Sequence, residues 1–325
     1  MTIAPPQPSM DARRAFFDAR PAASVAVDLS VRIGSLTLAN PVMPASGCFG
    51  PSLGRLIPVA ELGAVVTKTV FGTPRGGNAA HRVTELRAGM VNSVGIPSRG
   101  AAGYLASQHP LYLALGVPVI VSVGGHRSSE YAPVVQGLRG AGDAYELNVS
   151  CPNLDRHGTD IGSDPDAIGK VVHAVRLETD KPLIVKLPVL VSSIADCAQA
   201  AEAAGADAVC VANSIPALPL TAATRSPILG NVIGGLSGPN IRPIVLRLVW
   251  VASRAVDIPV VACGGIETAD DALDYFSVGA RAVQVGTASF GRPFAMVEIV
   301  RALQERCEGV AAADVTELIE LWSAR

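Results

Sequence analysis

Aromatic residues are scarce in this chain, at 4% of 325 residues, and so is charge, at 17% with a formal net charge of -2. With few rings and no basic excess there is neither a base-stacking platform nor an electrostatic footprint for nucleic acid or an anionic membrane surface. The six cysteines, Cys48, Cys151, Cys197, Cys210, Cys263 and Cys307, form no C-x-x-C pair and no Cys/His cluster with zinc or iron–sulfur spacing, so no metal is expected. A chain this long and apolar is not a disulfide scaffold, and we expect reduced thiols in a cytoplasmic protein. Long apolar runs are also missing. Segments such as residues 118–123 are strand-sized and too short to cross a bilayer. The opening MTIAPPQPSMDARRAFFDARPAAS has no apolar core or cleavage site of a signal peptide. Residues 1–27 read as an extension, and 28–325 as one domain.

What the chain does have is 49% apolar residues in short, nearly continuous runs. Strands are expected at 41–45, 64–69, 117–123, 144–149, 183–187, 208–212, 258–262 and 282–285, with the character of parallel strands covered on both faces. Helices alternate with them. Asp164-Pro165-Asp166 opens one, residues 193–204 form another closed by Gly205, and Thr268 caps a third closed by Gly279. Eight such repeats give an α/β fold, a (β/α)8 TIM barrel. The competing doubly wound sheet loses ground because no G-x-G-x-x-G follows the first strand. DLSVRIGSLTL, ahead of the first barrel strand, reads as a β-hairpin capping the barrel bottom. Residues 72–103 and 216–239 are long irregular stretches, and stretches of that length in a compact domain are usually lids or binding loops.

Barrel chemistry gathers where strands end. Backbone N–H groups at Gly264, Gly265, Gly286 and Thr287, with the GGLSG segment ending at Gly238, suit a phosphate, although each turn alone would be an ordinary tight connection. Lys68 and Lys186 each sit near the end of an apolar strand. Either could serve a structural ion pair; together with a phosphate site they point to an anionic cofactor ring or substrate. Asn92, Asn148, Asn153 and Asn213 offer paired donors and acceptors that fit the edge of a cyclic amide, though single asparagines more often cap and turn. Cys151, in LNVSCPN, is the candidate base for a proton on carbon next to a carbonyl, since a thiol titrates not far above neutrality. Packing is the ordinary role of a lone cysteine.

The motifs NPVMPASG, VTKT, GMVNSVGIP, NVSCPN, IVKLP, ANS, GGLSGP, CGGI and VQVGTASF, in this order, resemble the dihydroorotate dehydrogenase family over nearly the whole chain. The resemblance implies an FMN-containing barrel that oxidises dihydroorotate to orotate in pyrimidine biosynthesis. Cys151 would be the general base at C5, with hydride leaving C6 for flavin N5, as in the class 1 enzymes. By the same resemblance Asn92, Asn148, Asn153, Asn213 and Ser214 would hold the ring. Backbone N–H groups of Val94, Gly95 and Ile96 would take the substrate carboxylate. Lys68 would touch both flavin and substrate, and Lys186 would face the flavin edge where negative charge develops. Ala45, Ser46, Gly47, Thr69, Asn148 and the glycine turns would bind the rest of FMN. A homodimer is implied, or else a partner subunit carrying FAD and an iron–sulfur cluster. The electron acceptor is correspondingly fumarate, NAD or, third in order, quinone. Ser98, Arg99, Cys48 and the loop LDRHGTDIG depart from the family pattern. They keep open an alternative, a related flavin oxidoreductase acting on another cyclic amide or dihydropyrimidine-like ring.

Overall fold

A computed structural model of the protein describes residues 26–150, 161–189 and 192–323. Eight parallel strands form one sheet: Val42–Pro44, Val65–Val66, Val119–Val123, Ala144–Asn148, Leu183–Leu187, Ala208–Val211, Val260–Cys263 and Ala280–Val285. From the second to the eighth, each pairs with its neighbour in chain order, and the eighth returns to the first. The remaining seam lies between strands one and two. It is held by Gly63 N–H donating to the Val42 carbonyl at 3.0 Å and by the Ser46 hydroxyl donating to the Thr67 carbonyl at 3.0 Å. The fold is therefore the expected α/β barrel. The observed strands lie within or near the expected ranges.

Alternation along each strand splits the core in two. Outward residues such as Leu147, Val185, Val209 and Val283 pack under the helices. Inward residues such as Met43, Ala64, Ile120, Ala144, Ile184 and Ala208 fill the barrel together with Ile33 and Leu38. Ile33 and Leu38 come from the hairpin strands Val31–Ile33 and Leu36–Leu38 and are fully buried, each contributing roughly 1.5–3 kcal/mol. The hairpin thus closes the end from which the strands start, as its sequence implies.

The helix signals hold. Asp164 caps Pro165–Arg176 by accepting from Asp166 N–H at 3.0 Å. Thr268 and Asp271 make a reciprocal capping box ahead of Ala269–Ser277. The long irregular stretches differ from expectation. Together they build a second, four-stranded antiparallel sheet in the order Ile215–Ala217, Gly234–Ser237, Gly89–Asn92, Val83–Leu86. The GGLS segment is thus a strand of this sheet, and Gly238 alone turns into the next helix. No described helix is long and apolar enough to cross a membrane.

Candidate active site

The second sheet roofs the barrel at the strands' carboxyl ends and encloses a cavity of about 660 Å³, within the usual range for a ligand site. Ala45, Ser46, Gly47, Lys68, Thr69, Asn92, Val94, Ile96, Asn148, Lys186, Asn213, Ser214, Gly238, Gly264, Gly265, Gly286 and Thr287 all line it. Gly95 sits in the same turn but outside the lining. Cys151 and Asn153 lie outside the described residues.

One wall is a chain of hydrogen bonds across five strand ends. Ser46 Oγ lies 3.2 Å from Thr69 Oγ1, which lies 3.0 Å from Ser122 Oγ. Asn148 Nδ2 donates to Thr69 Oγ1 at 3.3 Å, and the Ser150 hydroxyl donates to Asn148 Oδ1 at 3.0 Å. Asn213 Nδ2 reaches Ser150 Oγ at 3.0 Å and the Ser150 carbonyl at 3.1 Å. Asn148 is buried, and Tyr131 OH donates to its main-chain carbonyl at 2.9 Å. Its carboxamide orientation is therefore set from several sides.

Close approach accounts for two of the glycines. A Cβ at Gly47 would lie 2.9 Å from Lys68 Nζ, and φ there is +82°. One at Gly265 would lie 2.8 Å from Arg242 Cβ, with φ +69°. The turn carrying Val94 runs through the left-handed region at both Gly95 and Ile96, with φ 73° and 45°. A β-branched residue in that region costs on the order of 1–3 kcal/mol and marks a conformation held for a purpose.

Lys186 is the cation of the floor, 4% exposed. Its Nζ donates to Gln284 Oε1 at 2.8 Å and lies 3.5 Å from Cys263 Sγ. Burial alone would lower its pKa, but the Cys263 thiol, Glu146 and the Cys210 and Cys48 thiols outweigh this and hold it above the ordinary lysine value. Contact with Cys210 and the nearby ammonium pull Cys263 below the ordinary thiol value against burial. Burial pushes Cys48 up to about 11. The thiolate is the reactive form, so Cys263 is expected to react at a lower pH than Cys48. In flavin-free protein, iodoacetamide followed by peptide mapping should find Cys263 modified at neutral pH and Cys48 spared. Equal labelling of the two at pH 7 would contradict this ordering.

Sequence reasoning missed Glu146 and Gln284, buried beneath the floor, and Val83, Glu85, Leu86, Met90, Glu267 and Phe290 around the roof and rim. A charged residue inside an apolar strand was the available signal for Glu146. Ser98 and Arg99, which set this chain apart from its family pattern, do not line the cavity. Ser98 Oγ accepts from Phe71 N–H at 3.1 Å and Gly100 N–H at 3.2 Å, so its role is to shape the loop.

A parallel barrel with a buried cation on its floor, a wall of fixed carboxamides and glycine turns at one end suits an anionic, ring-bearing ligand, and the chain's family is one of flavin-dependent oxidoreductases acting on a CH–CH bond. Residues 28–307 match the family model described as dihydroorotate dehydrogenase, and the chain belongs to this family. A relative from Trichlorobacter lovleyi is 42% identical over 295 residues, covering 90% of this chain and 97% of its own length. Relatives from Geobacter sulfurreducens and Desulforudis audaxviator are each 41% identical, over 90% of this chain and 97% of theirs. All three are named dihydroorotate dehydrogenase B (NAD(+)), catalytic subunit.

Proposed function

We propose that this chain is the catalytic subunit of an NAD-linked dihydroorotate dehydrogenase, with FMN as its flavin and a separate electron-transfer subunit as its partner. Oxidation of dihydroorotate to orotate in pyrimidine biosynthesis is the activity of the family to which the chain belongs. The names of the relatives support the NAD link and the partner. An NAD link would require such a partner, since the chain has no iron–sulfur cysteine spacing. Residues 28–325 would form the single flavin-binding domain, which the family match over 28–307 supports.

The observation that carries the FMN reading is the donor set of one cavity. A buried ammonium at Lys186, hydroxyl and carboxamide donors at Thr69 and Asn148, and the close backbone turns at Gly264, Gly265, Gly286 and Thr287 fit an anionic ring at one end and a phosphate at the other. When bound, the flavin accepts hydride from the substrate and passes the electrons on. The protein's own residues bind, orient and deprotonate. Asn92, Asn148, Asn153, Asn213 and Ser214 would grip the pyrimidine edge. The Val94–Gly95–Ile96 turn would receive the carboxylate, and Lys68 would touch both flavin and substrate. Cys151 would remove the C5 proton.

Anaerobic dihydroorotate is expected to bleach the yellow protein, while related dihydropyrimidines lacking the carboxylate leave it oxidised. Reoxidation by NAD should require the partner subunit. No bleaching at high dihydroorotate would sink the substrate assignment, and brisk reoxidation by fumarate without a partner would sink the NAD link.

A further inference from the structure

Below the cavity floor the barrel buries a polar pair that substrate and cofactor binding leave unused. Glu146 projects inward from the fourth strand and Gln284 from the eighth, and both are fully buried. Gln284 Nε2 donates to Glu146 Oε2. Its Oε1 accepts from Lys186 Nζ at 2.8 Å and from Cys210 Sγ at 3.5 Å. The inward layer nearer the hairpin is apolar, with Ile120, Ile184 and Val261 among its members.

A carboxylate can only accept hydrogen bonds. Glu146 therefore draws the NH2 of Gln284 to itself and leaves the amide oxygen for the ammonium. Turned the other way, the amide would aim its NH2 at a cation and its oxygen at an anion, two repulsions in a medium of low dielectric. The carboxylate, the amide dipole and the ammonium are thus aligned in one sense across the barrel. Glu146 makes no direct ion pair with Lys186 among the described contacts. Its negative charge acts on the lysine through space, and its hydrogen bond acts on it through the amide.

We propose that Glu146, acting through Gln284, is a positioning residue for Lys186: it fixes the ammonium at the cavity floor and so tunes how strongly the site prefers reduced over oxidised flavin. This deepens the flavin reading above and rests on it.

The sign of the effect separates this role from simple proximity. Removing a negative charge near the flavin would, through space alone, favour the reduced anionic form. Removing it through the relay frees the Gln284 amide to turn and releases the ammonium, which disfavours that form. The test is the midpoint potential of the protein-bound flavin, by equilibrium dye titration, in Glu146→Gln, Lys186→Met and the double variant. Glu146→Gln should lose about tenfold in its preference for reduced flavin, which is about 30 mV for a two-electron couple. The double variant should fall no lower than Lys186→Met alone. Gln284→Met, which cuts the relay at its middle, should move the potential the same way and serves if Glu146→Gln does not fold. An unchanged or raised potential in the variant that folds, or additive effects in the double variant, would overturn the proposal. Unsubstituted protein that binds no flavin would refute the flavin reading itself, and this inference with it. Normal flavin binding with an unmoved potential would refute only the relay.

Discussion

The Cys151→Ala protein is expected to bind flavin normally and to lose about 10²–10⁴-fold in its rate of reduction by dihydroorotate, the usual contribution of a positioned base. The thiol itself lies outside the described residues, but its immediate anchor does not. Ser150, the residue before it, is buried, and Asn213 grips both its carbonyl and its hydroxyl. Asn148 is tied to the same hydroxyl. The groups assigned to the ring edge therefore also fix the backbone that delivers residue 151. Anaerobic stopped-flow of the flavin band measures the rate, and chemical reduction by dithionite is a control that needs no base. A variant reduced by dihydroorotate at the unsubstituted rate would remove Cys151 from the mechanism. A variant that has lost its flavin would show instead that the segment is structural.

The second large effect concerns stability. Gly63→Ala is expected to destabilise the barrel by about 3 kcal/mol or more, beyond the usual cost of overpacking a core. A Cβ there would lie 2.0 Å from the Asn40 carbonyl oxygen, a backbone atom that cannot swing aside. The position sits on the seam between strands one and two, where no strand ladder closes the sheet. In place of a ladder, Gly63 N–H bonds the Val42 carbonyl, Asn40 Nδ2 donates to the Glu61 carbonyl at 2.8 Å, and Asn40 Oδ1 accepts from Val42 N–H at 3.1 Å. Pushing Asn40 away would disturb all three. Urea unfolding of the flavin-bound protein measures the effect, and a midpoint shift equivalent to less than 1 kcal/mol would show that the seam yields freely.

The barrel was legible because its strands are buried on both faces and so are apolar almost throughout. The segment IVKL needs no partner to be recognised as a strand. The roof was not legible. Its strands read VTEL, GMVN, IPA and GGLS, with little alternation and few β-branched residues. They are extended because they pair with one another, and that pairing is not local. Most of the expected cavity residues could be named in advance because strand ends are fixed by the fold. Glu146 and Gln284 are hidden in the sequence because they act from within apolar strands and not from strand ends. Ser98 differs in the other direction: it departs from the family pattern, yet the structure gives it a loop tie and no place in the cavity lining.

The roof also has a bearing on how the chain folds. Its central pairing joins Asn92 to Gly235, 143 residues apart. Between them lie the third to sixth barrel strands. Closing so large a loop early is entropically costly, so the roof is expected to assemble only after the strands between its halves have settled. A chain arrested before that step would own a nearly finished barrel with an uncovered mouth. Competence to hold ligand would then be the last property the polypeptide acquires, and ligand capture would report completed folding rather than guide it.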